Sequence, residues 1–132
     1  MMTILLKRAL IIFNKEIHTM PKEEIKNLLY GLHHTTFRNK KQIDESKECG
    51  CFYCKSTFKP EAITRWCDND GRGDPTALCP NCGIDSVIGD ACGCNVTPDL
   101  LELMNLQFFG PGIDNVNIIV TNGNETEENN QP

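Results

Sequence analysis

The feature that most constrains this chain is a cluster of eight cysteines, which all fall between residues 49 and 94 of 132. Cysteine at this density serves either as a disulfide framework or as a set of metal ligands. Four of them form two Cys-x-x-Cys pairs, Cys51 with Cys54 and Cys79 with Cys82. Two intervening residues let one tight turn direct both sulfurs at a single ion, and tetrahedral Zn²⁺ needs two such turns. The sequence therefore predicts one Zn²⁺ ion on these four cysteines.

The choice between metal and disulfides depends on the compartment, which we infer from the first residues of the chain. The two apolar runs there, 4–6 and 9–13, are split by Lys7 and Arg8. A secretory signal needs roughly 7–15 consecutive apolar residues after its positive charge, and a membrane span needs about 20. We therefore expect a cytoplasmic protein without a membrane span. Thiols stay reduced in that compartment, which favours metal binding.

The remaining four cysteines allow two interpretations. They are either a second metal site or small buried apolar side chains, and free cysteine is commonly buried in the second way. Spacing alone also leaves open that Cys49 replaces Cys51 as a ligand. The four residues are Cys49, Cys67, Cys92 and Cys94.

Composition and periodicity divide the chain into four segments. Apolar residues at helical spacing over 5–17, for which a strand is the alternative, predict a first helix. A second apolar stripe over 25–32 predicts another helix beginning at Pro21, and Thr97 caps a third. The segments are a helical, basic N-terminal segment over 1–48, a zinc-binding ribbon with its C-terminal helix over 49–110, a short strand over 111–120 and a disordered acidic tail over 121–132.

The 24 residues between the two cysteine pairs indicate a β-hairpin. Residues 58–66 form one arm, the Asp- and Gly-rich stretch 68–75 the turn, and 76–78 the returning arm. Residues 84–88 predict a third strand. The predicted fold class is α+β, a small zinc-ribbon or treble-clef-like β-hairpin with flanking helices. Its small core is expected to take up the neighbouring aromatic residues: Phe52, Tyr53, Trp66, Phe108 and Phe109.

Four cysteine ligands would leave no coordination position open for a substrate, so we predict a binding module rather than a zinc enzyme. A degenerate HNH-like nuclease is an alternative, because paired knuckles also scaffold such enzymes. Those enzymes need histidines near the knuckles, whereas the last histidine in this sequence is His34. The carboxylates around Asp70 lie among glycines and a proline, which is typical of an exposed turn.

The charge distribution bears on the partner. Residues 1–41 carry eight basic and three acidic residues, a balance of +5, whereas the rest of the chain has a balance of −10. Such polarity favours a charged partner or head-to-tail self-association. We expect a protein partner or self-association. The alternative is a nucleic-acid-binding accessory protein that uses the basic cluster Arg38, Lys40 and Lys41, and no pattern indicates a small-molecule substrate.

Two strings in the cysteine region resemble a known family. CFYCKSTFKPEAITRW at 51–66 and TALCPNCGIDSVIGDACGCNVTPDLLELMNLQFF at 76–109 are similar to the core of small, uncharacterised bacterial and phage proteins described as cytoplasmic proteins. The resemblance covers about residues 49–109. It implies no activity. The ligands that it implies are Cys51, Cys54, Cys79 and Cys82, with Cys67, Cys92 and Cys94 outside the pattern.

Overall fold

The computed structural model describes residues 20–116. The predicted helix over 5–17, residues 117–120 of the predicted strand and the predicted tail over 121–132 lie outside this range. Within it, short helices and small antiparallel sheets confirm the α+β class. The helices are α1 (Lys22–His34), α2 (Lys40–Asp44) and α3 (Pro98–Phe109), and the strands are β1 (Cys49–Cys51), β2 (Thr57–Phe58), β3 (Trp66–Cys67), β4 (Thr76–Ala77) and β5 (Val87–Gly89).

Helix α1 begins directly after Pro21, as predicted, and carries acidic residues in its first turn, where they favour the positive end of the helix dipole. At its other end, the hydroxyls of Thr35 and Thr36 donate to the carbonyls of Leu32 and His33 at 2.7 and 2.8 Å. These bonds use two of the carbonyls that a helix end leaves without partners. The predicted apolar stripe of α1 is buried: Ile25, Leu28, Leu29 and Leu32.

Five strands form two sheets. The hairpin predicted around 68–75 exists as β3 paired with β4, in which Trp66 lies opposite Ala77 and Cys67 opposite Thr76. The other sheet has the antiparallel order β2-β1-β5, so β1 is its centre. The first cysteine pair therefore begins at the last residue of β1, Cys51, and the second pair lies between β4 and β5.

Two details of the predicted hairpin are wrong. Phe58 belongs to β2 and pairs with Cys49, because Pro60 opens a 3-10 turn that separates it from Trp66. The predicted strand over 84–88 forms as β5 but joins β1 in the other sheet. This pairing places β5, which follows the second cysteine pair, beside β1, which leads into the first pair. Because the two strands are far apart in the sequence, no local pattern predicts the contact.

The three-stranded sheet separates two buried clusters. Cys49, Cys51 and Val87 face a metal-side cluster, since side chains alternate across a strand. Gly50 and Ile88 face the helix-side cluster. There, a Cβ on Gly50 would lie 2.7 Å from Cγ1 of Val96, so the absence of a side chain lets the neighbouring segment pack directly on β1. The metal-side cluster contains Ile43, Cys49, Cys51, Ile63, Ala77, Cys79 and Val87, and the helix-side cluster contains Ile25, Leu28, Leu29, Leu32, Phe52, Ile88, Cys92, Cys94, Leu100, Leu101, Leu103, Met104 and Ile113.

A buried asparagine joins the two sheets. The side-chain amide of Asn39 donates to the carbonyl of Val87 in β5 at 2.9 Å, and its carbonyl oxygen accepts from the amide of Ala77 in β4 at 3.0 Å. Asn39 directly precedes α2, a short helix inside the polar segment 38–48. This segment therefore positions the hairpin relative to the central sheet.

Helix α3 covers the face of the sheet opposite the metal side. Its first turn is capped by Thr97, whose hydroxyl accepts from the amide of Leu100 at 3.2 Å. Gly110 follows its last residue, and a 3-10 turn over Ile113–Asn115 lies in the segment 111–120 predicted as a strand, so the described part of that prediction is wrong. No helix within 20–116 is long and apolar enough to cross a membrane.

Candidate metal centre

The fold brings the four predicted cysteine sulfurs together. All four Sγ atoms lie within 4.8 Å of one another. The Sγ atoms of Cys51 and Cys82 are 3.6 Å apart, and those of Cys54 and Cys79 are 3.7 Å apart. Tetrahedral zinc with Zn–S bonds of about 2.3 Å places its sulfurs about 3.8 Å apart, whereas a disulfide needs about 2.05 Å. The spacing fits one tetrahedral ion, and the four cysteines of the quartet are free thiols in this structure.

The two Cys-x-x-Cys turns, which we call the first knuckle (51–54) and the second knuckle (79–82), repeat the same hydrogen bonds. In the first, the amide of Cys51 donates to the carbonyl of Ser56, and the amide of Lys55 donates back to Cys51. In the second, Cys79 and Ile84 form the equivalent bond at 2.9 Å. The shared pattern means that each knuckle presents its two sulfurs in the same local geometry.

The residue that leaves each knuckle has a positive φ. Gly83 has a φ of 83°, which the C-P-N-C-G sequence predicts, since glycine enters this region without cost. Lys55 occupies the equivalent position with a φ of 66°, although a non-glycine residue is strained there. The conformation persists because the amide of Lys55 donates to the carbonyl of Cys51 at 2.7 Å.

Backbone amides surround the first sulfur of each knuckle. Sγ of Cys51 accepts from the amides of Tyr53 and Cys54 at 3.3 and 3.5 Å. Sγ of Cys79 accepts from the amides of Asn81 and Cys82 at 3.2 and 3.4 Å. Hydrogen bonds to an ionised sulfur stabilise its charge, so both turns are preorganised for thiolates.

Side chains extend this outer shell. The hydroxyls of Ser56 and Ser86 lie 3.1 Å from Sγ of Cys54 and 3.2 Å from Sγ of Cys51. The side-chain amide of Asn81, in the second knuckle, donates to Sγ of Cys54 in the first knuckle at 3.4 Å. This bond connects the two knuckles directly. Metal sites depend on such outer contacts to orient their ligands, and the cysteine spacing alone did not identify these three residues.

As free thiols, Cys51, Cys54 and Cys82 differ in pKa. Burial raises the pKa of Cys51 to about 12 and also raises that of Cys82. Burial acts in the same direction at Cys54, but hydrogen bonds from Asn81 and Ser56 outweigh it and lower its pKa to about 6. Four thiolates this close repel one another, so they can all ionise only beside a cation. The donor set therefore suits a divalent metal.

The ligands are shielded unequally. Cys51 and Cys79 are fully buried, whereas Cys54 and Cys82, the second cysteine of each knuckle, are half-buried. The quartet is the one group of three or more metal-ligating side chains that converges within residues 20–116. Cys49, Cys67, Cys92 and Cys94 belong to no such group within residues 20–116, and Cys51, not Cys49, is a member of the quartet.

The other cysteines occupy separate positions. Cys49, Cys92 and Cys94 are buried, and burial raises their pKa values to about 12, 11 and 12. Cys67 is half-buried in β3, where burial and the nearby Asp68 raise its pKa. Buried thiols with raised pKa values are unreactive and pack as small apolar side chains.

The three basic residues considered for nucleic-acid binding are each paired with a carboxylate. Nη2 of Arg38 lies 2.9 Å from Asp70, and Nζ of Lys40 lies 3.0 Å from Asp44. Lys41 pairs with Glu45 at 3.3 Å. Lys40 also lies over the ring of Trp66, 4.8 Å from its centroid. Because each basic side chain is paired with a carboxylate of the same chain, the cluster presents less positive charge to a partner.

The guanidinium of Arg38 lies against the hairpin turn over residues 68–75. It donates to the backbone carbonyls of Asp68 and Asp74 at 3.2 and 3.3 Å, besides pairing with Asp70. This pairing raises the pKa of Arg38 and lowers that of Asp70. Within the turn, the carboxylate of Asp70 is paired with Arg38 and that of Asp68 accepts from the hydroxyl of Thr76 at 2.6 Å.

An exposed aromatic surface was not expected from the sequence. Phe52 is buried as predicted, but the side chains of Tyr53 and Phe109 are each 45% exposed and in edge contact at 4.9 Å between centroids. Tyr30, 52% exposed, contacts Phe108 at 5.3 Å. The aromatic surface comprises Tyr30, His33, Tyr53, Phe108 and Phe109, with Phe52 beneath it.

His33 and His34 are both exposed at the end of α1. The ring of His33 stacks on Phe108, with 4.2 Å between centroids. Burial by these neighbours lowers the pKa of His33.

Comparison of the chain with family models, with curated proteins and with solved structures gives no match. The resemblance to the bacterial and phage family therefore stays a prediction, and the function has to be argued from the site itself.

Proposed function

We propose that this chain is a non-catalytic, zinc-stabilised module that binds another protein. The proposal has two parts, the ion and the binding surface. It places the protein in the cytoplasm and among the bacterial and phage proteins that its cysteine region resembles.

The sulfur geometry supports zinc. The Sγ–Sγ distances of 3.6 and 3.7 Å within the quartet fit a tetrahedral zinc site. Amide and hydroxyl donors compensate the thiolate charge. Zinc would join β1 to the segment between β4 and β5 and so supply stability that the short strands lack. With Cys51, Cys54, Cys79 and Cys82 all bound, no position remains for a reacting group, which favours a structural role.

The observation that carries the binding role is the aromatic surface beside the first knuckle. Tyr53 lies between two ligands, and Asn105 of α3 holds this turn by donating to the carbonyls of Phe52 and Tyr53, both at 3.0 Å. These bonds position Tyr53, whose ring contacts Phe109, and the hydroxyl of Tyr30 accepts from the side-chain amide of Gln107 at 3.1 Å. Rigid exposed aromatics are the residues that dominate protein interfaces.

Charge favours protein over nucleic acid as the partner. Residues 20–116 contain ten basic and fourteen acidic side chains, a balance of −4, and a quartet of thiolates with one Zn²⁺ adds −2. Nucleic-acid interfaces are strongly positive. The ion pairs of Arg38, Lys40 and Lys41 also favour a protein partner, because they reduce the positive charge available to phosphates.

Two measurements test the proposal. Native mass spectrometry should find one zinc per chain that a chelator removes, and a mass without metal would contradict the first part. Pull-downs from the source cells, treated with nucleases, should recover a partner on the wild-type chain that Tyr53→Ser with Phe109→Ser loses. The control is Arg72→Ser, an exposed residue of the hairpin turn that lies outside the aromatic surface. Recovery that depends on nucleic acid would replace the second part with the nucleic-acid alternative.

A further inference from the structure

We propose that a cleft beside the aromatic surface receives a cationic side chain, arginine or lysine, from the protein partner. This inference rests on the proposed function and specifies the chemistry of the partner: a segment in which a basic residue adjoins apolar ones. The cleft has a volume of about 310 Å³. It lies between the end of α1, the following turn and the residues after the second knuckle, and its lining residues are His33, His34, Thr36, Phe37, Thr76 and Asp85.

The cleft is continuous with the aromatic surface through one residue. His33 lines the cleft and also stacks on Phe108 and contacts Phe52. A partner seated on Tyr53 and Phe109 therefore extends naturally into the cleft. Interfaces of this kind combine aromatic anchors with a few placed polar groups.

The electrostatics of the cleft favour a cation. Asp85 is exposed, and it forms no salt bridge with any described residue between 20 and 116. The C-terminal end of α1, with its negative dipole, forms another wall. The last cysteine of the quartet, Cys82, precedes Asp85 by three residues, and four thiolates with one Zn²⁺ would add a net charge of −2 there. The sum of these contributions is an anionic recess that is complementary to a guanidinium or an ammonium group.

An aromatic side chain completes the site. Phe37 lines the cleft and is 62% exposed, so the face of its ring is available to an incoming group. Its ring already has one guanidinium near it, because Cζ of Arg38 lies 5.1 Å from the ring centroid. Arg38 does not neutralise Asp85, since its charge is paired with Asp70. An incoming cation can therefore contact both Phe37 and Asp85.

Other occupants are less well matched. A nucleic acid would place phosphates against Asp85 and the thiolate quartet, where like charges repel. A metal ion is excluded by geometry, because His33, His34 and Asp85 do not converge within residues 20–116. The basic peptide segment is the occupant that both the charge and the aromatic wall favour.

The test is a selection of random 12-residue peptides on the zinc-loaded chain, run in parallel on Asp85→Asn and on Glu61→Gln. Glu61 is an exposed carboxylate in a 3-10 turn outside the cleft, so the second variant removes the same charge elsewhere. Native mass spectrometry of each variant checks that one zinc is retained. Selected peptides are then synthesised, and their dissociation constants are measured by fluorescence anisotropy.

We expect enriched peptides that combine arginine or lysine with aromatic or aliphatic residues. Their affinity should fall about fivefold on Asp85→Asn and stay within about twofold on Glu61→Gln, as an exposed charge contact predicts. Equal losses on both variants would overturn the inference, since they indicate unspecific attraction. Apolar peptides without basic residues would overturn it but leave the proposed function intact, whereas no enrichment at all would count against the proposed function itself.

Discussion

The helix-side and metal-side clusters lie on opposite faces of one small sheet, yet they are held together differently. The helix-side cluster consists mainly of leucines, isoleucines and aromatic rings from α1, α3 and β5. The metal-side cluster has three large aliphatic side chains, Ile43, Ile63 and Val87, together with alanine and cysteines. Apolar burial stabilises the first cluster in proportion to the area removed from water. The second contains less buried apolar surface, since Phe58 and Trp66 are only partly buried against it, so we expect its stability to depend more on the proposed ion.

The largest effect should come from removing a ligand. Cys79→Ser should abolish stoichiometric zinc binding and unfold the metal-side cluster, because structural zinc contributes about 10–16 kcal/mol in small domains. Native mass spectrometry measures the first effect. Hydrogen exchange measures the second, at the amides of Cys51 and Cys79, which lose their partners Ser56 and Ile84.

The matched control for this variant is Cys67→Ser, which changes a half-buried cysteine outside the quartet. It should bind one zinc ion and keep both amides protected. If Cys79→Ser protected these amides as well as the control does, the comparison between the two clusters would be wrong.

The helix-side cluster should respond to loss of volume rather than of metal. Leu101→Ala removes a fully buried side chain, and we expect it to lower the free energy of unfolding by about 2–5 kcal/mol. Urea denaturation of the zinc-loaded protein measures this, while zinc stoichiometry should remain one. The control is Leu106→Ala, at a partly buried position on the same helix, where the loss should be smaller. Release of zinc by Leu101→Ala alone would show that the clusters are not separable.

Lower pH should reduce zinc affinity and so destabilise the metal-side cluster more than the helix-side cluster. Cys51 and Cys82 have raised pKa values as free thiols, so both hold protons near neutral pH and release them on binding zinc. Lower pH favours the protonated form and opposes binding. Zinc affinity should therefore fall by at least about a hundredfold for each pH unit, or roughly 2.7 kcal/mol. Competition with a chromophoric chelator between pH 7.5 and 6.0 checks the slope. A pH-independent affinity would mean that the thiols are already ionised.

The smallest expected effect concerns the residue that joins the two sheets. Asn39→Ala leaves the carbonyl of Val87 and the amide of Ala77 without their partner, which costs about 1–3 kcal/mol for buried groups. Thermal unfolding measures the loss. Asn69→Ala removes an exposed asparagine that donates to Trp66 and should change stability by no more than about 0.5 kcal/mol. Equal shifts for both variants would show that Asn39 is not a specific bridge.

Local sequence signals predicted the features that depend on neighbouring residues. Thr97 caps α3, Pro21 precedes α1, and the buried stripe of α1 follows its helical spacing. The hairpin around 68–75 also forms where glycine, aspartate and proline predict a turn. Each of these depends on contacts within a few positions of the chain, which periodicity and turn chemistry describe.

Several features of the site could not be predicted because they join distant residues. The amide of Asn81 reaches Cys54 from the other knuckle, and Ser86 reaches Cys51 across 35 positions. For Arg38, the distant partner led to a different interpretation of the residue. Its basic neighbours suggested nucleic acid, but the fold places it in the hairpin turn beside Asp70. A charge in a sequence does not reveal its partner.

The sequence by itself determined the two knuckles, since the Cys-x-x-Cys spacing and the turn residues after each pair are local properties of the chain. It also determined the α+β class through the alternation of helical stripes with short β-prone runs. Only the tertiary structure decided how the knuckles meet, because β5 pairs with β1 and Asn39 links β4 to β5. It likewise decided which aromatic rings stay exposed, because the exposure of Tyr53 and Phe109 depends on how α3 packs against the first knuckle. Burial is set by contacts between distant segments, and these are absent from any local pattern.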